Sequence, residues 1–358
     1  MPAKAAAFFT LTTLSAVKPF CDFFHITKDF FRLLFTTPLF YATISTTKER
    51  SFAMKLKFDV AGRTQPDPFI FEDDGHYYIY ATGECGVECY EADDPFATWH
   101  YLGRVMEAEG GSGYWAPSVI KYEGKYYMYV SFCENGNFEH MHVAEAESPR
   151  GPFVNATKLY NRFSIDSHAV KTDAGLFLWY AEDSHEGERI GTRVFVDRLL
   201  DPYTPANERK EMIVPTFDEE RFTPKYTKEC PWHTVEGAFW FEKDGWQYVM
   251  YSAGCYEDDT YHIGYAAEQT NEADHTKLRL EKHTDNGAFA PVLIKNAFEE
   301  GTGHHSVLCY KGEYYAVYHG RDYRKDTSEG YVEARTARIC RLVVKDGIIT
   351  AERYEDHI

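Results

Sequence analysis

The chain has 358 residues, a formal net charge of −18, 27 Tyr and 26 Phe. So acidic a chain lacks the clustered Lys and Arg that a polyanionic partner such as nucleic acid requires. The dense aromatics favour strands with large buried area, and the length suits one large domain or two ordinary ones.

Residues 1–53 read differently from the rest. Lys4, Lys18, Lys28, Arg32, Lys48 and Arg50 stand against Asp22, Asp29 and Glu49 there, net +3, so residues 54–358 carry −18 − 3 = −21. The apolar run Ala5 to Val17 has the look of a signal core but no clean small-residue cleavage site. The run Phe30 to Ile44 is broken by Arg32 and Pro38. Neither reaches the ~20 residues of a spanning helix, so no membrane partner is expected. Residues 1–53 are read as an extension outside the fold, with Met54 as an alternative start, or else as a targeting segment. Eight cysteines are scattered without a CxxC pair. They read as buried free thiols in a reducing, cytoplasmic setting, or a secreted one if the extension holds a real signal.

After residue 54 one pattern recurs five times: a short apolar strand, a polar turn with Gly, then an aromatic strand. The copies are Asp67-PFIFEDDGHYYIYAT, Trp115-APSVIKYEGKYYMYVS, Asp166-SHAVKTDAGLFLWYAE, Glu236-GAFWFEKDGWQYVMYS and His304-HSVLCYKGEYYAVYHG, with turn glycines Gly75, Gly124, Gly175, Gly245 and Gly312. The glycines lie 49, 51, 70 and 67 residues apart, room for about four strands each. Repetition of a four-stranded unit makes a propeller. The expected fold is all-β, a five-bladed β-propeller over residues 54–358.

The residue eight or nine positions before each turn glycine is Asp67, Trp115, Asp166, Glu236 and His304. Equivalent positions of successive blades ring one mouth of the central channel, so three carboxylates, a Trp and a His are expected to converge. Crowded like charges raise one another's pKa at a cost to the fold, which marks a functional site. Hydrolysis of a glycosidic bond needs one protonated acid and one ionised base, and Trp115 offers a flat face for a sugar ring. His168, two residues after Asp166 on the same strand face, is a candidate substrate contact or a structural hydrogen-bonding partner. No GxSxG elbow, P-loop, GxGxxG or HExxH motif is present.

At these residues the chain resembles glycoside hydrolase family 43, the arabinofuranosidase, xylosidase and arabinanase family. The matching stretches are Pro66-Asp67-Pro68, Trp115-Ala116-Pro117, Ile165-Asp166-Ser167-His168, Val235-Glu236-Gly237 and Gly303-His304-His305-Ser306. The resemblance implies a carbohydrate substrate, xylan or arabinan breakdown, and an inverting mechanism. It implies Asp67 as general base, Glu236 as general acid, Asp166 as pKa modulator and Arg335 as a substrate contact. It also implies a calcium ion near His304, held through water. His305 stands where Asn is common, and Ala238 where Pro often follows Glu-Gly. The alternatives are a non-catalytic sugar-binding propeller, which would keep Trp115 and lose a carboxylate, and a kelch-type interaction propeller, whose paired glycines are absent. A related fructoside-cleaving propeller family is disfavoured by the lack of its Asn-Asp-Pro-Asn stretch.

Overall fold

The structure, a computed structural model, describes residues 53–222, 231–323 and 333–353. They form five blade sheets, antiparallel but for one two-residue edge strand and each opening on one of the five repeated hairpins, and a separate two-stranded ribbon of Thr284–Asp285 with Ala288–Phe289. The innermost strands are Phe69–Asp73, Gly111–Tyr122, Ile165–Thr172, Val235–Lys243 and Glu299–Tyr310. Each touches the next, and the last touches the first, so the sheets close a ring of five blades around a channel. No helix of the described residues is long and apolar enough to cross a membrane.

The hydrophobic effect acts mainly between the sheets. Tyr80, Met128 and Phe153 share one core between blades 1 and 2, while Trp179, Val196 and Val249 share another between blades 3 and 4. Full burial of such side chains contributes roughly 1.5–3 kcal/mol each. Six described cysteines are free thiols, as expected, but only Cys89, Cys255 and Cys340 are buried; Cys85 and Cys309 are exposed. Cys21 and Cys230 lie outside the described residues.

Ring closure is made by residues 53–58. Ala53–Lys55 pairs antiparallel with Thr336–Lys345 of blade 5, Ala53 opposite Cys340. Lys57–Phe58 then pairs parallel with Thr98–Met106 of blade 1. Among the described residues the first paired one is thus Ala53, and a single short segment ties the last blade to the first.

The register of the hairpins refines the expected ring. In blades 1, 2, 4 and 5 the Gly is the second residue of a two-residue turn, as in the Asp73–His76 pair that flanks Asp74 and Gly75. In blade 3 the turn is Asp173–Ala174, and Gly175 opens the next strand opposite Thr172. Counting eight back from the second turn residue gives Asp67, Ala116, Asp166, Gly237 and His304. All five have positive φ, 52°, 46°, 61°, 60° and 32°. This is one left-handed residue per blade at the head of its inner strand, beside β-bulges in blades 2 to 5. Trp115 and Glu236 sit one residue before that position, so the five residues do not form a single equivalent set.

A left-handed residue turns its N–H out of the blade's own ladder, and the preceding blade supplies the acceptor. Ala116 N–H donates to Thr82 Oγ1 at 2.8 Å, Gly237 N–H to Asp166 Oδ2 at 3.1 Å, His304 N–H to Ser252 Oγ at 2.8 Å and Asp67 N–H to His319 Nδ1 at 3.1 Å. Farther down the channel, Ile70 N–H donates to Ser306 Oγ and Trp240 N–H to His168 Nδ1. Polar clips therefore join blade to blade where the pocket is built.

Candidate active site

The inner-strand heads surround a pocket of about 430 Å³ lined by Asp67, Trp115, Asp166, Glu236, His304 and Arg335. Six of the seven residues picked from sequence meet there. The seventh, His168, does not. Its ring is buried, stacks on Phe239 at 3.9 Å and accepts the Trp240 amide. Burial lowers its pKa to about 3, so it stays neutral and serves as an acceptor. His168 is an inter-blade clip rather than a substrate contact.

Asp67 is the most tightly held carboxylate. Thr82 Oγ1 donates to its Oδ2 at 2.6 Å, and Arg335 Nη1 to its Oδ1 at 3.3 Å. His319 and His304 place Nδ1 at 3.2 and 3.5 Å from the same Oδ1. Burial opposes the charge, but Arg335 and the two imidazoles outweigh it and hold the carboxyl well below the usual range. Arg335 is itself fixed, its guanidinium paired with Glu333 and stacked over Tyr256 at 4.8 Å. The Cys255–Thr260 loop that carries Tyr256 is anchored by buried Arg321, which donates to the Tyr256 and Asp258 carbonyls.

Glu236 has the opposite setting. Its one close partner is Tyr261, whose hydroxyl donates to Oε1 at 2.7 Å. Burial first, with the charges of Asp67 and Asp183 added, raises its pKa to about 7 against that hydrogen bond. Asp166 is also pushed up, by burial and then by Glu236 and Asp67. Its Oδ2 accepts the Gly237 amide and lies 3.6 Å from His304 Nδ1. Asp166 is thus tied to the residue next to Glu236, and the two carboxyls cannot both be charged cheaply.

Several pocket residues are not visible in the hairpin repeat. Thr82 and His319 lie at the far ends of second strands, opposite the inner-strand heads. Tyr261 precedes the third strand of blade 4 and stacks on His319 at 5.6 Å. Its ring passes so close to Gly303 that a Cβ there would lie 2.0 Å from it, so residue 303 must be Gly. Trp115 is 38% exposed, too open for a core residue and apt as a flat wall. Phe163, Phe222, Trp232 and Asp183 complete the mouth.

Calcium prefers six to eight oxygen ligands. Among the described residues no three His, Cys, Asp or Glu side chains form a ligand group. His304 turns Nδ1 toward the two carboxylates, whose oxygens already face Thr82, Arg335 and the Gly237 amide. This donor set does not fit a directly coordinated calcium.

A propeller pocket in which one carboxylate is held well below its ordinary pKa and another is raised to about 7, beside an open aromatic wall, suits acid–base work on a sugar-sized ligand. The chain belongs to glycosyl hydrolases family 43, whose sequence pattern matches residues 60–349. It is similar to a xylosidase/arabinosidase of Bacteroides ovatus, 24% identical over 340 residues covering 83% of this chain and 97% of that one. It is also similar to a beta-xylosidase of Xylanibacter ruminicola, 23% identical over 312 residues covering 74% and 90%. A thermostable family-43 glycoside hydrolase of known structure superposes with a TM-score of 0.69 at 27% identity, covering 82% of this chain and 95% of that one. An α-L-arabinofuranosidase from Lactobacillus brevis shares the fold, with a TM-score of 0.64 at 19% identity over 80% and 93% of the two chains.

Proposed function

We propose that this glycoside hydrolase cleaves arabinofuranosides or xylosides by single displacement with inversion. The observation that carries the reading is the split between two carboxylates of one pocket: Asp67 held ionised by Arg335, Glu236 raised to about 7. A sugar-binding propeller has no use for such a split. The names of the relatives, xylosidase and arabinosidase, support pentosides as the substrate class.

In this reading Glu236 donates its proton to the glycosidic oxygen as the bond to the anomeric carbon breaks. Water attacks the opposite face of that carbon and gives its proton to Asp67. The products are the alcohol and a sugar of inverted configuration, and solvent returns the proton from Asp67 to Glu236. Asp67 and Glu236 come from blades 1 and 4, which are not neighbours in the ring. That separation suits a water between base and sugar, since inverting enzymes keep their carboxyls roughly 6.5–9.5 Å apart. Asp166 is the modulator, a carboxyl itself raised by burial, Glu236 and Asp67, and it orients the strand that carries the acid by accepting the Gly237 amide. Trp115 stacks on the sugar ring, and Arg335 contacts the substrate while fixing the base.

Activity on para-nitrophenyl α-L-arabinofuranoside and β-D-xyloside tests the substrate class. Proton NMR of the first-formed anomer tests the mechanism: a product that keeps the substrate's anomeric configuration overturns the roles given to Asp67 and Glu236.

A further inference from the structure

Asp183 is a fourth carboxylate of the pocket, and the chemistry above does not use it. It ends the second strand of blade 3, Gly175–Ser184, opposite Thr192. No hydrogen bond or salt bridge ties its carboxylate to another described residue; burial raises its pKa, and His185 offsets this only in part. The contrast with its neighbour is direct. Glu182 points to the other face of the strand, is buried, and takes both Arg162 and Arg209. Asp183 is solvent-accessible and pairs with no Lys or Arg among the described residues.

Its height in the pocket follows from the register. Ile165 pairs with Ala181, so Asp183 lies two residues beyond the head of the inner strand, and Asp166 one residue below it. At ~3.4 Å per residue, Asp183 stands roughly 10 Å above Asp166 toward the mouth. Laterally it belongs to the acid's side: its charge acts on Glu236, whereas Arg335, His304 and His319 dominate at Asp67. The group that protonates the departing oxygen faces the leaving sugar, so the space above Glu236 receives that sugar.

We propose that Asp183 recognises the leaving-group sugar, accepting hydrogen bonds from its hydroxyls, and that this unpaired carboxylate bars sugars bearing a carboxylate from that position. The inference rests on Glu236 being the general acid. A carboxylate is an acceptor only, which suits the hydroxyls of a neutral sugar. Asp183 places a negative charge at the mouth with no Lys or Arg paired to it among the described residues, so a uronate at the leaving position meets repulsion there.

The experiment compares wild type with Asp183→Asn and Asp183→Ala on two substrates of one glycone, para-nitrophenyl β-D-xyloside and xylobiose, or the arabinofuranoside pair if that is the sugar cleaved. The nitrophenyl group has no hydroxyls and needs little help to leave. The expected result is a fall in kcat/KM of on the order of 10- to 100-fold on the disaccharide, as for loss of charged hydrogen bonds, carried mainly by KM, with less than about threefold change on the aryl glycoside. An oligosaccharide with a uronate at the leaving position should gain in Asp183→Asn relative to wild type. An equal loss on both substrates overturns the proposal, because Asp183 then acts through Glu236 or the fold. No loss on either overturns it as well. A wild type that cleaves neither substrate overturns the underlying reading and this one with it; inversion with no selective disaccharide loss leaves that reading standing and removes only Asp183.

Discussion

The pocket has two unlike walls. Blades 5 and 1 surround Asp67 with two donors, Arg335 and Thr82, and with the rings of His304 and His319. Blades 3 and 4 supply Asp166, Glu236 and Asp183 with one tyrosine hydroxyl and the Gly237 amide, and with no Lys or Arg among the described residues that line the pocket there. Carboxyl groups lining one pocket are thereby shifted in opposite directions. The difference lies in where the arginine is and not in how deep the carboxyls are, since burial raises the pKa on both sides.

Removing either pole should have the largest effect. Asp67→Asn and Glu236→Gln are each expected to lower kcat/KM by ~10²–10⁴-fold or more while circular dichroism shows the fold retained; near wild-type rates on a verified substrate would end the assignment. Next comes the arginine that makes the walls differ. Arg335→Ala should lower kcat/KM by roughly 10²-fold, as losing substrate-positioning groups does, and should create an acid limb that wild type lacks. With the guanidinium gone, burial lifts the Asp67 carboxyl to or above its ordinary value, so the base protonates as pH falls through the mildly acid range. An unchanged pH profile in this variant would mean that Arg335 serves substrate binding alone.

The wild-type profile itself should be one-sided. Glu236 must carry a proton, so kcat/KM should fall as pH rises through about 7, with no matching loss on the acid side until the protein unfolds. A bell with an acid limb near the ordinary carboxylate range would contradict the account of Asp67. Stability should follow the same proton. Glu236 has a raised folded-state pKa, so its contribution is fully present below its unfolded value and is lost as pH rises toward 7. Glu236→Gln removes that penalty, and should raise Tm by a few degrees at pH 8 and hardly at all at pH 4. The smallest effect concerns assembly of the base wall. Deleting residues 1–52 should leave Tm and activity nearly unchanged, whereas deletion through Phe58 should lower both, because it takes the strands that tie blade 5 to blade 1. Equal behaviour of the two truncations would show that closure does not depend on that segment.

The five hairpins were legible because turn glycines and alternating aromatics report strand and turn chemistry locally. The head residues were legible because a repeat places them at matched offsets. One offset misled: in blade 3 the Gly follows the turn, so Asp166 matches Asp67 and His304, while Trp115 and Glu236 stand one residue earlier. His168 misled for a different reason. A histidine two residues from a site carboxylate shares its strand face, but along a propeller's inner strand two residues also means one step deeper into the channel. Thr82, Tyr261 and His319 were not legible, since each reaches the pocket by cross-strand pairing or from a loop and carries no repeated pattern. The second-strand ends opposite the heads, Thr82, Ser252 and His319, are the places where a polar residue in an otherwise apolar strand could have signalled the inter-blade clips.

The clasp at Ala53 has a consequence in time as well as in space. A ribosome makes blades 1 to 4 before the strands of blade 5 exist, and the acid wall lies wholly within blades 3 and 4. The base wall cannot form then: Asp67 is among the first residues of the propeller to emerge, while Arg335, His304 and His319 are among the last. A nascent chain therefore carries its proton donor in place when its base has only Thr82 as a partner, and it becomes catalytically competent only when the final blade meets the segment that began the ring. Truncated products of translation, whatever their length short of Arg335, would be inert toward glycosides.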